Sequence, residues 1–510
     1  MSNFRMLCGT TAMIGFTSGS VALADVTSDQ VWNDWKNYFE TLGYEVTATE
    51  VQAGDTLSVR DMRMTMPLPE DEGTVAITLG QIGFVDRGDG TVSVELPSPV
   101  PVVVDVEPDG EDPVKVSLDY SSSGFEMVAA GAPDEITYTY SADELRARLN
   151  EIIAEGEVKE IGTAELTIGD VRGSSVTRIG DVRELAQVMS TGAVAYMFDF
   201  VNPDDSDEFL NLTGGMDRMN FDGTATYPIE GGFDSEDVNA MLQAGFGFDG
   251  EFSYQGGRMD LEFDDGSDQL KAQTSTGSGV FAVGMSPSGL KYDIMSRGLT
   301  AAFEAADLPS PVDFAFDEIA LKLLMPLQKS DEVQDFAMGL TLGDFTMSDT
   351  IWDMVDPEGE LPRDPATIAL DLSGRGKLAF DLFDPEEMEA VERGEIEMPG
   401  EIERLDLNQL EVTAGGASLT GEGGIDVDFP TVMTTQGMQG TEGTIQLRLT
   451  GANGLMDTLV GMGLVPEEQV MGARMMLSMF AVPGEGEDVL TSTIEVENDG
   501  QVLANGQRVK

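Results

Sequence analysis

The sequence has no histidine and a single cysteine, Cys8, among its 510 residues. Without histidine, the chain cannot carry out Ser-His-Asp or Cys-His catalysis, bind haem through histidine or form the usual histidine-ligated zinc sites. Histidine is also the usual proton shuttle near neutral pH, so an ordinary hydrolase is a less natural expectation. Cys8 lies in an N-terminal segment that we expect to be removed, which leaves the working protein without disulfides or iron–sulfur clusters.

Basic residues are also scarce. The chain has 28 Lys and Arg against 93 Asp and Glu, a formal net charge of -65. Such a surface repels nucleic acid phosphates and anionic lipid headgroups, so we expect neither as a direct surface ligand. It favours divalent cations, basic partners or simple solubility in salt. Hydrophobic residues make up 41% of the chain, enough to build a core, so the charge does not indicate disorder.

Long apolar stretches are missing beyond the N-terminus. The first residues carry one fixed charge, Arg5, then an apolar stretch and small residues, which is the pattern of a secretory signal peptide. Ala22 and Ala24 fit the small pockets of a signal peptidase, so we predict cleavage before Asp25. The apolar run at residues 100–104 is only strand length. These features predict a periplasmic protein that is exported by a cleavable signal peptide and has no transmembrane segment after cleavage.

Several segments have the apolar spacing of helices. A capping box of Thr27 and Gln30 predicts a helix that ends at Gly43, with Trp32 and Trp35 on its packing face. A second capping box, Ser141 with Glu144, predicts another helix up to residue 156. Further helices are predicted at residues 182–189 and 235–244, around 455–462, and from 466 to 480.

Most of the remaining sequence alternates apolar and polar residues with period two, which is typical of strands with one buried face. Residues 87–90 and 498–500 have the composition of hairpin turns. The predicted fold is β-rich α+β, with long curved antiparallel sheets and a few amphipathic helices packed on one face. We divide the chain into a signal peptide (1–24), an N-terminal helix plus antiparallel region (25–310) and a C-terminal β region with methionine-rich helices (311–510). The periodicity predicts an apolar sheet face but does not decide whether side chains fill it.

Three motifs resemble binding sites but have simpler interpretations. Glycines at 245, 247 and 250 match the spacing of a dinucleotide loop, but here a helix precedes and a strand follows, which favours a turn. Acidic clusters at 202–208 and 264–268 offer oxygens for calcium but lack the EF-hand pattern, and we interpret them as solvated loops. The methionines between 462 and 479 have helical spacing, which favours core filling over a soft binding groove. No cofactor, metal site or catalytic residue is assigned from these patterns.

Four segments carry a resemblance to a known family. They are Asp25-Val26-Thr27 leading into Val31-Trp32-Asn33-Asp34-Trp35, then Ile351-Trp352-Asp353-Met354-Val355-Asp356-Pro357, Leu361-Pro362-Arg363-Asp364-Pro365-Ala366-Thr367, and Asp499-Gly500-Gln501-Val502-Leu503-Ala504-Asn505-Gly506. The chain resembles the exported proteobacterial family known as domain of unknown function 2125. The layout of its tail is also broadly similar to that of AsmA-like envelope proteins. The first resemblance implies an envelope location and a β-rich fold, and it brings no functional residue.

The leading hypothesis is a non-enzymatic envelope protein that binds or shields an apolar ligand, such as a lipid, or an envelope protein partner. Two alternatives stay open. Paired carboxylates could make a glycan hydrolase, because glycosidases need only two acids at a set separation. Calcium could instead stabilise a structural protein of the envelope.

Overall fold

The computed structural model describes residues 25–68, 73–110, 112–203, 205, 207–229, 237–306, 308, 310–395, 400–428, 432 and 439–509. Within these ranges, strands dominate and helices are few. The helices are α1 (Ser28–Thr41), α2 (Val238–Gln243), α3 (Asp349–Val355), α4 (Pro385–Glu392), α5 (Ala452–Gly461) and α6 (Glu467–Phe480).

The strands fall into two groups along the chain. The first fourteen are β1 (Glu45–Ala53), β2 (Thr56–Pro67), β3 (Gly73–Asp86), β4 (Val92–Glu95), β5 (Val100–Pro108), β6 (Val114–Ser123), β7 (Glu126–Ala132), β8 (Glu135–Ala154), β9 (Glu157–Lys159), β10 (Gly162–Ile179), β11 (Val182–Thr191), β12 (Val194–Val201), β13 (Phe209–Met216) and β14 (Arg218–Pro228). The others are β15 (Gly247–Asp264), β16 (Gln269–Ser286), β17 (Gly289–Ala305), β18 (Val312–Met325), β19 (Gln334–Met347), β20 (Ala366–Leu378), β21 (Gly400–Ala414), β22 (Ala417–Val427), β23 (Thr441–Thr450), β24 (Val482–Pro483), β25 (Val489–Val496), β26 (Val502–Ala504) and β27 (Gln507–Arg508).

Hydrogen bonding joins these strands into one antiparallel sheet. From β15 to β23, each strand pairs with the next, the order of a simple meander. Nearer the N-terminus, some long strands have two short neighbours on one side. The first half of β10 pairs with β12 and its second half with β11, and β15 pairs with β14 and β13 in the same way. The predicted β-rich α+β class is confirmed.

The N-terminal helix α1 forms as its capping box predicts. Thr27 accepts a hydrogen bond from the backbone N–H of Gln30, and the Gln30 side chain accepts one from the backbone N–H of Thr27. Its packing face is aromatic: Trp32 is 1% exposed, and Trp35 lies edge-on to Phe84 with ring centroids 5.5 Å apart. This face covers β1, β2 and β3 and forms the larger hydrophobic core of the described chain.

Two predicted helices are wrong. Residues 141–154 belong to β8 and residues 155–156 to the turn after it, while residues 182–189 belong to β11. In β8, Leu145, Ala147 and Leu149 alternate with Glu144 and two arginines. The apolar residues of this segment therefore also recur with period two, as in a strand. β8 pairs with β6 and β7 on one side and with β10 on the other. These sheet contacts outweigh the local helix signals because capping and propensity contribute only weakly beside tertiary pairing.

The other predicted elements are present. Helices occur at α2, α5 and α6, and hairpins turn at residues 87–90 and 498–500. Gly245 lies in the turn after α2, and Gly247 and Gly250 lie in the first part of β15, so the segment is a turn that enters a strand, as expected. α2 also forms a second core in which Leu242 and Leu327 are each 1% exposed.

The sheet continues through the predicted domain boundary at residue 310. The strands on either side of it, β17 and β18, pair from Leu290 opposite Met325 to Phe303 opposite Val312. The division at 310 stays a prediction. No helix in the described ranges is both long enough and apolar enough to cross a bilayer.

Candidate functional site

One face of the sheet carries a continuous row of large apolar side chains across nine paired strands. We call it the apolar row. Its members, in the order of strand pairing, are Met189, Phe221, Phe252, Phe281, Ile294, Leu321, Leu340, Leu370 and Leu410. Eight inter-strand spacings of about 4.8 Å make it about 38 Å long.

The opposite face carries a charged side chain at five of these nine strands. Successive residues of a strand point to opposite faces, so the row one residue away lies behind the apolar row. It contains Asp222, Glu251, Asp293, Lys322 and Asp371. The sheet is therefore amphipathic across its width, with the charges on one side.

The middle of the apolar row is open to solvent. Phe281, Leu321 and Leu340 are 43%, 42% and 40% exposed, and the neighbouring Met338 and Ile368 are each 47% exposed. A soluble domain normally buries such a face against a second layer. Here α1 packs on β1–β3, α5 packs on β22, and α2 covers only the ends of β15–β18. The apolar face is an exposed patch of the kind that marks a binding surface.

A cavity of about 460 Å³, the first cavity, lies where α1 faces the strands β6–β11. Most of its wall is apolar or aromatic. The lining includes Trp35, Tyr38, Phe39, Leu96, Tyr120, Phe125, Met127, Tyr138, Tyr140, Leu145, Val171, Leu185 and Met189. Its size and lining are typical of sites for small apolar ligands.

A second cavity, of about 540 Å³, adjoins the first. Its floor includes Phe221, Phe252 and Phe281 of the apolar row. Both cavities are lined by Tyr38 and Leu185, so they meet beneath the C-terminal half of α1. The two cavities and the open strands beyond them form one apolar path along the sheet, which we call the groove.

The first cavity contains a buried ion pair. Asp34 of α1 and Arg183 of β11 have side chains only 4% and 6% exposed, and the Arg183 Nη2–H donates to Asp34 Oδ1. The Tyr138 hydroxyl donates to Asp34 Oδ2 over 2.6 Å. Burial, followed by the Asp34 charge, raises the pKa of Tyr138 far above its ordinary value, so this hydroxyl stays a donor. The pair holds α1 over the sheet.

Arg183 also contacts one of the aromatic residues that lie between the two cavities. Its guanidinium carbon lies 5.4 Å from the centre of the Tyr38 ring, within reach of a cation–π interaction. Tyr38 in turn packs edge-on against Tyr227. Burial, and next the neighbouring Tyr38 hydroxyl, raise the pKa of Tyr227 to about 12.

Sequence reasoning missed the Asp34–Arg183 pair. The two residues are 149 positions apart, and Arg183 falls in a segment predicted as a helix. Only strand pairing across β8, β10 and β11 brings Arg183 under α1. A lone arginine among otherwise uncharged residues of a strand face is the one signal that could have marked it.

The predicted cleavage site is described only in part. Ala22 and Ala24 lie outside the described residues, while Asp25 is exposed next to the start of α1. The cleavage stays a prediction.

The acidic turn at residues 264–268 uses its carboxylates to hold its own backbone. Asp264 accepts a hydrogen bond from the Gly266 N–H, and Asp265 accepts from the N–H groups of Ser267 and Asp268. In the other acidic cluster, residues 204 and 206 lie outside the described part of the chain. Across the described residues, no group of three or more Asp, Glu or Cys residues is placed to hold a metal ion.

Among the residues that line the first cavity, Asp34 is the one carboxylate, and it is paired with Arg183. A glycosidase needs two carboxyl groups on either side of the scissile bond. The first cavity therefore does not supply the arrangement that the glycan hydrolase hypothesis needs. That hypothesis and the calcium-stabilised alternative stay predictions.

The methionines of α6 are exposed rather than buried. Met471, Met475, Met476 and Met479 are 60–65% exposed, and Val470 is the one buried residue of this helix. The interpretation of these methionines as core filler is wrong. Helical spacing alone does not separate a core stripe from a solvent-exposed stripe, because both have the same period.

The Leu361-Pro362-Arg363-Asp364-Pro365 segment, which carries part of the family resemblance, has a structural role here. Arg363 forms ion pairs with Asp349 and Asp353 of α3 and lies over the Trp352 ring. Asp356, just after α3, is buried and accepts backbone hydrogen bonds from the residues before Pro362. The segment thus fixes α3 beside β20.

Comparison with known protein families gives a match. Residues 242–509 match the model of a family described as "Uncharacterized protein conserved in bacteria (DUF2125)". No curated protein matches the chain in sequence. The likeness to AsmA-like envelope proteins stays a prediction. Since the match spans more than half of the chain and agrees with the resemblance of its sequence motifs, the chain belongs to this DUF2125 family of bacterial proteins.

Proposed function

We propose that this protein is exported to the bacterial envelope and binds the acyl chains of a lipid along the groove. The observation that carries the proposal is the apolar row, nine strands wide, in which Phe281, Leu321 and Leu340 are 40–43% exposed. Leaving so much apolar surface in water is costly for a soluble protein, at roughly 25 cal/mol per Å². A bound acyl chain would remove that surface from water.

The dimensions of the groove support a lipid over a small compact ligand. The apolar row is about 38 Å long, more than twice the roughly 15 Å that one leaflet contributes to a 30 Å hydrocarbon core. An extended acyl chain therefore fits along the row with room to spare. The polar residues behind the row keep the other face of the sheet in water.

The charge of the chain narrows the lipid class. A net charge of -65 opposes anionic headgroups and anionic membrane surfaces. Zwitterionic or uncharged lipids avoid this repulsion. The envelope location is supported by the signal pattern before Asp25, and the missing histidine supports a binding role over a catalytic one.

Native mass spectrometry tests the proposal. The mature chain, purified from the periplasm without detergent, is expected to carry lipid-sized adducts that organic extraction removes. A second assay measures extraction of a pyrene-labelled phosphatidylcholine from phosphatidylcholine vesicles. An adduct-free mass together with no extraction would overturn the lipid-binding proposal, and a mass that still includes residues 1–24 would overturn the predicted cleavage.

A further inference from the structure

The methionines of α6 form an exposed apolar surface, which we call the methionine stripe. Its members are Met471, Met475, Met476 and Met479, each 60–65% exposed. Three of them recur every four residues, so their side chains lie along one side of the helix. Val470, on the opposite side, is 5% exposed. An apolar helix side that stays in water while the other side packs is typical of a surface that binds a partner.

The methionine stripe lies next to the end of the apolar row. Beyond Leu410, strand pairing leads through Gly421 and Leu447 to Ser492 of β25. The Leu410 and Leu447 side chains both lie over Gly421, and directly opposite residues share a face, so the Ser492 side chain lies on the face of the row. Its hydroxyl donates to the backbone carbonyl of Phe480, the last residue of α6, over 2.5 Å. α6 therefore ends on the face that carries the apolar row.

The charge around the stripe selects the partner. Residues 469–484 contain no acidic residue, in a chain with 93 Asp and Glu. Their one basic residue, Arg474, forms an ion pair with Asp457 of α5. The segment thus presents apolar surface without net charge, which attracts neither a basic protein nor an anionic surface. A second copy of the chain, with the same net charge of -65, is repelled.

We infer that the methionine stripe docks the protein on a bilayer of zwitterionic lipids, where an acyl chain passes into the adjoining apolar row. This inference rests on the proposed function and names the membrane surface as the partner from which the groove takes its lipid. An amphipathic helix binds such a surface with its apolar side just below the headgroups. Methionine suits this role because its flexible side chain adapts to irregular apolar surroundings.

Flotation with phosphatidylcholine vesicles tests the inference. The mature chain is expected to float with these vesicles on a density gradient. Phosphatidylglycerol added to the vesicles should weaken the binding, because its negative charge repels the acidic chain.

Variants of one methionine identify the docking surface. Met475 is 65% exposed, and its burial in the bilayer should contribute about tenfold to vesicle affinity. Met475→Glu should therefore bind at least about tenfold more weakly, whereas Met475→Leu should bind as wild type does. Met197→Glu is the matched control, because it makes the same change at a 41% exposed methionine of β12. This control should keep wild-type binding.

The outcomes separate the inference from the proposed function. If wild type does not float but still carries lipid adducts, the inference is wrong and the proposed function stands. Equal binding by wild type and Met475→Glu would also overturn the inference, because another surface would then dock. Leu340→Glu, in the apolar row, should float as wild type does while it extracts less lipid. If wild type floats but neither carries nor extracts lipid, the stripe docks and the proposed function fails.

Discussion

A charge placed in the middle of the apolar row should weaken lipid binding with little effect on folding. Leu340 is 40% exposed and lies between Leu321 and Leu370. Full burial of a leucine contributes about 1.5–3 kcal/mol, and about three-fifths of Leu340 is buried, so Leu340→Glu should cost about 1–2 kcal/mol of stability. The new carboxylate can stay hydrated at this exposed position, so no further penalty for a buried charge is expected.

The effect on binding should be larger. An acyl chain that crosses Leu340 loses apolar contact for about two methylene groups when a carboxylate stands there. At about 0.8 kcal/mol for each methylene, the loss is about 1.6 kcal/mol, or about fifteenfold in affinity. The assay is extraction of pyrene-labelled phosphatidylcholine from phosphatidylcholine vesicles, with the thermal midpoint of each variant measured in parallel.

Thr341→Glu is the matched control. Thr341 is the next residue of β19, so its side chain points to the polar face, and the variant adds the same charge to the protein. It should change stability by no more than about 0.5 kcal/mol and leave extraction unchanged. Equal losses for the two variants would mean that net charge controls extraction. No loss for Leu340→Glu would refute lipid binding along the apolar row.

Two further predictions concern the region around α1. Phe84 is fully buried against Trp35, so Phe84→Ala should lower the free energy of unfolding by about 3–5 kcal/mol. The control Phe383→Ala changes a 39% exposed site and should lower it by no more than about 1 kcal/mol. Chemical denaturation measures both variants, and similar losses would contradict the assigned core. Burial and Tyr38 raise the pKa of Tyr227 to about 12. The neutral Tyr227 hydroxyl therefore contributes fully to the free energy of unfolding below the unfolded pKa near 10, and this contribution is lost as the pH rises towards 12. In an ultraviolet tyrosinate titration, the difference between wild type and Tyr227→Phe should appear near pH 12, and a difference that appears near pH 10 would argue against the raised pKa.

The elements that the sequence predicts well are those in which local and tertiary signals agree. The capping box at Thr27 and the packing face of Trp32 and Trp35 favour the same helix, and α1 follows them. Residues 141–156 show the opposite case. There, Ser141 and Glu144 have the spacing of a helix capping box, while the alternation of apolar and polar residues around Leu145 is typical of a strand. The segment forms a strand because β8 pairs with other strands on both of its edges.

By itself, the sequence determined the chemistry of this protein: an acidic chain without histidine, with strands that alternate apolar and polar residues. Only the tertiary structure decided the register that aligns Phe252, Phe281 and Ile294 into one row, because pairing partners depend on contacts between distant segments. It also decided that the row stays open, because α1 packs on β1–β3, α5 packs on β22 and α2 covers only the ends of β15–β18. The burial of Arg183 beside Asp34 likewise arises only when β11 takes its place under α1.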